Sequence, residues 1–160
     1  MPELSFKEWV DRKMEEARDS QRGRRRADWL RAYEGLKEKI RSWLREEDDP
    51  ERIPIHSEWV QRNERGLGTY DIEGLRIEIG DSSVHVVPMG RNVVGSVTPP
   101  SGGEFRAAGR VDLKCGVRKY VLYRTIQDGQ DVWYAVDDER YGVTPFTKER
   151  LQEILMDLMS

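Results

Sequence analysis

Over residues 4–47 apolar side chains recur every three or four positions, as a helix face requires. That stretch has no proline and two glycines, Gly23 and Gly35. Its apolar positions form two sets. Phe6, Trp9, Val10, Met14 and Ala17 come first; Trp29, Leu30, Tyr33, Leu36, Ile40, Trp43 and Leu44 follow. At roughly 100° per residue, one straight helix would point the two sets in opposite directions. Asp19, Ser20 and Gly23 are poor helix formers, so a break or kink near residues 20–23 is expected. Ser5 with Glu8 three residues on is a capping box at the start. At the other end Glu46, Glu47, Asp48 and Asp49 oppose the helix dipole, and Pro50 prevents continuation.

Beyond residue 50 the period falls to two. Ile53, Ile55 and residues 58–62 read as a first strand, weakened by Pro54. Gly66 to Thr69 reads as a turn. Leu75, Ile77 and Ile79 alternate with Arg76 and Glu78, a half-buried strand. Gly80-Asp81-Ser82-Ser83 turns the chain into a return strand through Val84, Val86 and Met89, which makes the two antiparallel neighbours. After a Pro/Gly/Ser connection over 96–104 come three runs, 105–114, 117–126 and 132–136, read as a β-meander. The middle run is apolar on both faces and should be interior. Thr147 caps a final helix with the stripe Leu151, Ile154, Leu155, Leu158 and Met159.

The expected fold is therefore α+β: an N-terminal helical hairpin or bent long helix, an antiparallel sheet of five or six strands, and a C-terminal helix. Residues 1–49 form the helical arm, packed on residues 50–160. At 160 residues the chain can bury a core without staples.

Composition adds a constraint. Charged residues make up 36% and apolar ones 37%, so part of the chain must be a solvated or partner-covered surface. The single cysteine, Cys115, excludes an intrachain disulfide. With no basic-then-apolar leader and no long apolar run, the expected setting is cytoplasmic, with no membrane partner. Net charge is −3 but unevenly spread. Residues 12–45 hold twelve basic and six acidic residues, and residues 128–160 hold eight acidic and three basic. The two regions could face each other within one chain or between two.

Candidate chemistry is sparse. Arg22, Arg24, Arg25 and Arg26 could contact a phosphate backbone, or pair with nearby Glu15, Glu16, Asp19 and Asp28. Gly90 and Gly95 bracket Arg91 and Asn92, where the arginine could clamp an anion bidentately, or where the strand simply turns. Asp112 and Lys114 share a strand face, as the D-x-K half of a metal-dependent nuclease motif would need, with Asp81 or Glu78 as the second carboxylate. Another strand follows at once where that fold needs a helix, and a cross-strand ion pair is the competing reading. His56, His85 and Cys115 have no zinc spacing, and no phosphate loop is present. No cofactor and no metal site are expected.

Gly66-Leu67-Gly68-Thr69-Tyr70, the run 86–95 (Val-Val-Pro-Met-Gly-Arg-Asn-Val-Val-Gly) and Gly109-Arg110-Val111-Asp112-Leu113 resemble a family of uncharacterised bacterial proteins over about a third of the chain. The resemblance implies a bacterial, cytoplasmic setting and no assigned activity. Missing catalytic spacing, two apolar stripes and bipolar charge point to a non-catalytic adaptor or regulatory protein. It would bind a protein partner or itself through Trp29, Tyr33, Ile40 and Trp43. The alternatives are nucleic-acid association through residues 22–26 and a nuclease-like site at Asp112 and Lys114.

Overall fold

A computed structural model describes residues 3–137 and 142–160. Helix α1 (Phe6–Asp19) starts from the expected capping box: Glu8 N–H donates to Ser5 Oγ at 3.2 Å, and Ser5 N–H to Glu8 Oε2 at 3.1 Å. It ends at Ser20, whose backbone is extended (φ −68°, ψ 160°). The same serine caps α2 (Gln21–Glu47) by accepting from Gly23 N–H at 3.1 Å. The arm is thus two helices joined by one residue. A side chain at Gly23 would overlap the Ala17 and Arg18 carbonyls, which is why a glycine stands at this junction.

Strands β1 (Ile55–Glu64), β2 (Gly68–Ile79) and β3 (Ser82–Gly90) follow. A small ribbon, β4 (Ser96–Val97) with β5 (Phe105–Arg106), interrupts them before β6 (Arg110–Cys115), β7 (Arg118–Gln127), β8 (Gln130–Asp137) and β9 (Val143–Pro145). The chain closes with α3 (Lys148–Leu158), capped by Thr147. Among the described residues the main sheet is antiparallel throughout and has seven strands in the order β1-β2-β3-β6-β7-β8-β9.

Register makes one face continuous and apolar. Leu75 pairs with Val86, and Val86 with Leu113; Val111 pairs with Leu122, and Leu122 with Ala135. Onto these pack Trp29, Leu36, Ile40 and Leu44 of α2 and Leu151, Ile154, Leu155 and Leu158 of α3, in one core cluster. Each such side chain contributes roughly 1.5–3 kcal/mol by leaving water. On β2 the buried positions change phase. Tyr70, Ile72 and Gly74 are buried, then Leu75 and Ile77. Gly74 sits against the carbonyls of Val86 and Glu58, where no side chain fits. Glu73 then binds α2: it accepts from Lys37 Nζ at 3.0 Å and Arg41 Nη2 at 2.6 Å, while Tyr33 Oη donates to its carbonyl at 2.6 Å.

Several expectations need correction. The expected antiparallel sheet gains one strand over the six read, because among the described residues a short strand, β9, pairs beyond β8. Residues 105–114 are not one strand. Their first two residues join the ribbon, and Ala107–Gly109 then turns in beside β7, where Ala108 N–H donates to Arg124 O at 2.7 Å. The first strand runs two residues further than read, because the β1–β2 turn is tighter than expected and Gly68 and Thr69 already belong to β2.

The largest correction concerns the arm. Trp29, Tyr33 and Ile40 are at most 1% exposed and form the centre of this chain's own core. They cannot present a partner surface, because the sheet face already covers the α2 stripe. Trp43 is half-buried, edge-on to Phe146 at 5.5 Å. The helix left uncovered is α1, which has no buried residue. The regional charge asymmetry does not set the pairing either. Arg31 does reach Asp131 at 3.1 Å, but Lys148 binds Glu46 and Glu47 in the opposite sense. Among the described residues no helix is long and apolar enough to cross a membrane.

Candidate functional site

Two basic segments, far apart in sequence, meet where α2 begins. The first turns of α2 lie over the β1–β2 turn. Arg26 Nη1 donates to Leu67 O at 3.3 Å. Arg25 Nη1 lies 3.0 Å from the position a Cβ on Gly66 would take, and Arg22 Cδ lies 3.3 Å from that of Gly68. Both glycines have φ near +80°, so the turn needs them for its backbone and for the arginines it carries.

Arg91 and Asn92 reach the same turn from the end of β3. Gly90 packs against the Glu64 carboxylate, which accepts the backbone N–H of Arg91 at 3.2 Å and of Asn92 at 2.9 Å. Tyr70 Oη also donates to Glu64. Asn92 Nδ2 donates to Arg65 O at 2.7 Å. The turn read at the end of this strand is thereby pinned, and Arg91 points along α2 to Asp28, with Nε to Oδ2 at 3.2 Å.

Asp28 is the hub of this corner. Arg124, 0% exposed, grips it with Nη1 at 2.8 Å and Nη2 at 2.9 Å, and uses its Nε on Asp131 at 2.8 Å. Arg31 joins both carboxylates at 3.1 Å. The hydrogen bonds from Arg124 hold the Asp28 carboxyl well below the usual carboxylate range; partial burial opposes this, and Arg31 and Arg91 add to it. For Arg124 burial disfavours the charge, but the two carboxylates outweigh it and its pKa is raised.

Between α2, the loop after β3 and β5 lies an open cleft of about 610 Å³. Arg25, Arg91, Arg106 and Asn92 supply its polar groups; Val93, Val94, Ala107, Ala108 and Ile126 supply an aliphatic wall. Among the described residues Arg22, Arg24, Arg25 and Arg106 form no ion pair. The expected local partners do not serve them, since Asp28 is engaged by Arg31, Arg91 and Arg124. The cleft thus joins Arg25, Arg91 and Asn92, which the sequence nominates. Arg22 and Arg26 border the adjoining turn, and Arg24 is exposed outside the cleft. Trp29, Tyr33 and Ile40 lie beneath in the core. Arg106 and the Asp28–Arg124 pair were not nominated as site residues; no periodicity or motif marks them.

The nuclease constellation is not assembled. Asp112 is 1% exposed and receives Arg110 Nε at 2.8 Å and Nη2 at 3.1 Å. Glu78 is bound by Arg76 and by His56. Among the described residues no group of three His, Cys, Asp or Glu is placed to hold a metal. Comparison with family models, with curated proteins and with solved structures finds no match.

Proposed function

We propose that this is a non-catalytic binding protein that docks α1 into an apolar groove of a protein partner, in the bacterial cytoplasmic setting its resemblance implies. One observation carries the reading. On α1, Phe6 is 78% exposed, Trp9 47% and Met14 63%, with Phe6 stacked on Trp9 at 5.9 Å. Phe6, Trp9, Val10, Met14 and Ala17 are spaced as the anchors of a helix laid in a groove. Large apolar side chains grouped on one solvent face are a recognition signal where scattered ones are not.

A groove is favoured over a second copy by size. Fourteen residues make a helix of about 21 Å, and two such helices paired alone bury less than the roughly 1,200 Å² a stable interface requires. The adaptor reading of the sequence is kept, with the contact moved from α2 to α1.

Light scattering on the full chain and partner capture from the native host test this together. The expected outcome is a monomer that retains one partner, lost in F6E/M14E and kept in R24A/R25A. A dimer abolished by F6E/M14E would replace the partner with a second copy. Monomers with no capture that depends on α1 would overturn the reading.

A further inference from the structure

The basic cleft is independent of α1, and its chemistry points to a different ligand. We propose that it binds a small organic phosphate, seating the phosphate among Arg25, Arg91 and Arg106 and laying the uncharged remainder on Val93, Val94 and Ala108.

Packing explains part of the charge arrangement, since Arg22, Arg25 and Arg26 lie over the β1–β2 turn, but not its electrostatic cost. Arg22, Arg24, Arg25 and Arg26 occupy the beginning of α2, and the first turn has no acid. The positive end of the helix dipole repels them there. An anion in the cleft beside Arg25 would relieve the repulsion among these side chains. Neither Arg25 nor Arg106 is held by a carboxylate among the described residues. Arg91 is held by one: its Nε is fixed by Asp28. Neither of its terminal nitrogens bonds a described residue, so a planar fork is already oriented and still free to donate.

The three arginines come from α2, from the loop after β3 and from β5, so they surround the cleft. Guanidinium groups converging from separate elements match the several oxygens of one phosphate better than a row along one helix would. The volume of about 610 Å³ falls in the range of small-ligand sites, roughly 300–1,000 Å³. Val94 is fully exposed and Ile126 is 46% exposed, so apolar surface stands beside the charge. Among the described residues no aromatic side chain lines the cleft. A single-stranded nucleic acid would need such a platform for its bases, and its absence favours a compact phosphate ester over a strand.

Titration calorimetry on the full chain decides this, with inorganic phosphate, adenosine monophosphate and a single-stranded oligonucleotide as probes. Adenosine monophosphate is expected to bind tighter than inorganic phosphate, because its organic part contacts the aliphatic wall. R25A and R106A should each weaken it about tenfold, the value of one charge-assisted pair, with an unchanged circular dichroism spectrum. R24A, outside the cleft, should bind as wild type does. Three results would overturn the proposal: no binding of adenosine monophosphate, binding no tighter than that of inorganic phosphate, or equal binding by R25A and R106A. Oligonucleotide binding without mononucleotide binding would also overturn it and assign the arginines to a strand.

Discussion

The ring of Trp29 packs against Gly109, so close that a methyl group on the glycine would overlap its six-membered ring. This contact docks the start of α2 on the sheet where the chain enters β6. Gly109 O accepts from Arg124 N–H at 2.9 Å, so the backbone cannot easily withdraw. Gly109→Ala is expected to destabilise by about 3 kcal/mol, at the upper end of overpacking. Trp29→Phe removes part of the opposing ring. Urea unfolding of G109A, W29F and the double variant should therefore show a cost below the sum of the singles. Additive costs would mean that the two residues do not oppose each other.

Arg124 has no exposed surface, and Asp28 takes two of its three nitrogens. Removing Asp28 leaves a buried guanidinium with Asp131 as its remaining carboxylate. Asp28→Ala is expected to cost about 3 kcal/mol, as for other broken buried pairs. Asp28→Asn should cost less, because an amide oxygen still accepts. Equal stability of D28A and wild type by chemical denaturation would show that the pair is not formed.

The same pair predicts an acid limit. The folded pKa of Asp28 is depressed below its ordinary 3.8 by the hydrogen bonds from Arg124. For Glu73, burial raises the value, but Lys37, Arg41 and Ser57 outweigh it and the net shift from 4.5 is downward. Both groups bind protons more readily when unfolded. Their stabilisation is complete above the ordinary values and is lost as pH falls through the folded ones. The denaturation midpoint should therefore drop as pH falls below about 5, and less steeply in D28N than in wild type. The same slope in D28N would remove Asp28 from this account.

Helix α1 should contribute almost nothing to folding, since none of its residues is buried. Phe6→Glu, Trp9→Glu and Met14→Glu are expected to change stability by no more than about 0.5 kcal/mol each, as surface substitutions do. Val10 is half-buried and is left out of this comparison. A thermal midpoint that falls by many degrees in F6E would place α1 on the body of the protein.

Local chemistry is legible in the chain itself. The break at Ser20, the two caps at Ser5 and Thr147, the turn at Gly80-Asp81 and the alternation of β2, β7 and β8 all follow from residues within a few positions of one another. Propensity, capping and period act at that range, so the α+β class and the order of most elements could be read directly. Three further things depended on register and docking. The α2 stripe announces burial, but whether the sheet or a partner supplies it is settled only when seven strands line up Leu75, Val86 and Leu113. Arg25 and Arg91 are 66 positions apart and share a cleft because Glu64 pins the loop after β3 to the turn beneath α2. Arg124 lies on a strand read as interior, and it becomes the most buried charge among the described residues because Asp28 and Asp131 arrive from α2 and β8. A one-dimensional pattern records which side chains avoid water; which of them meet is decided by the twist and register of a sheet whose contacts span the whole chain.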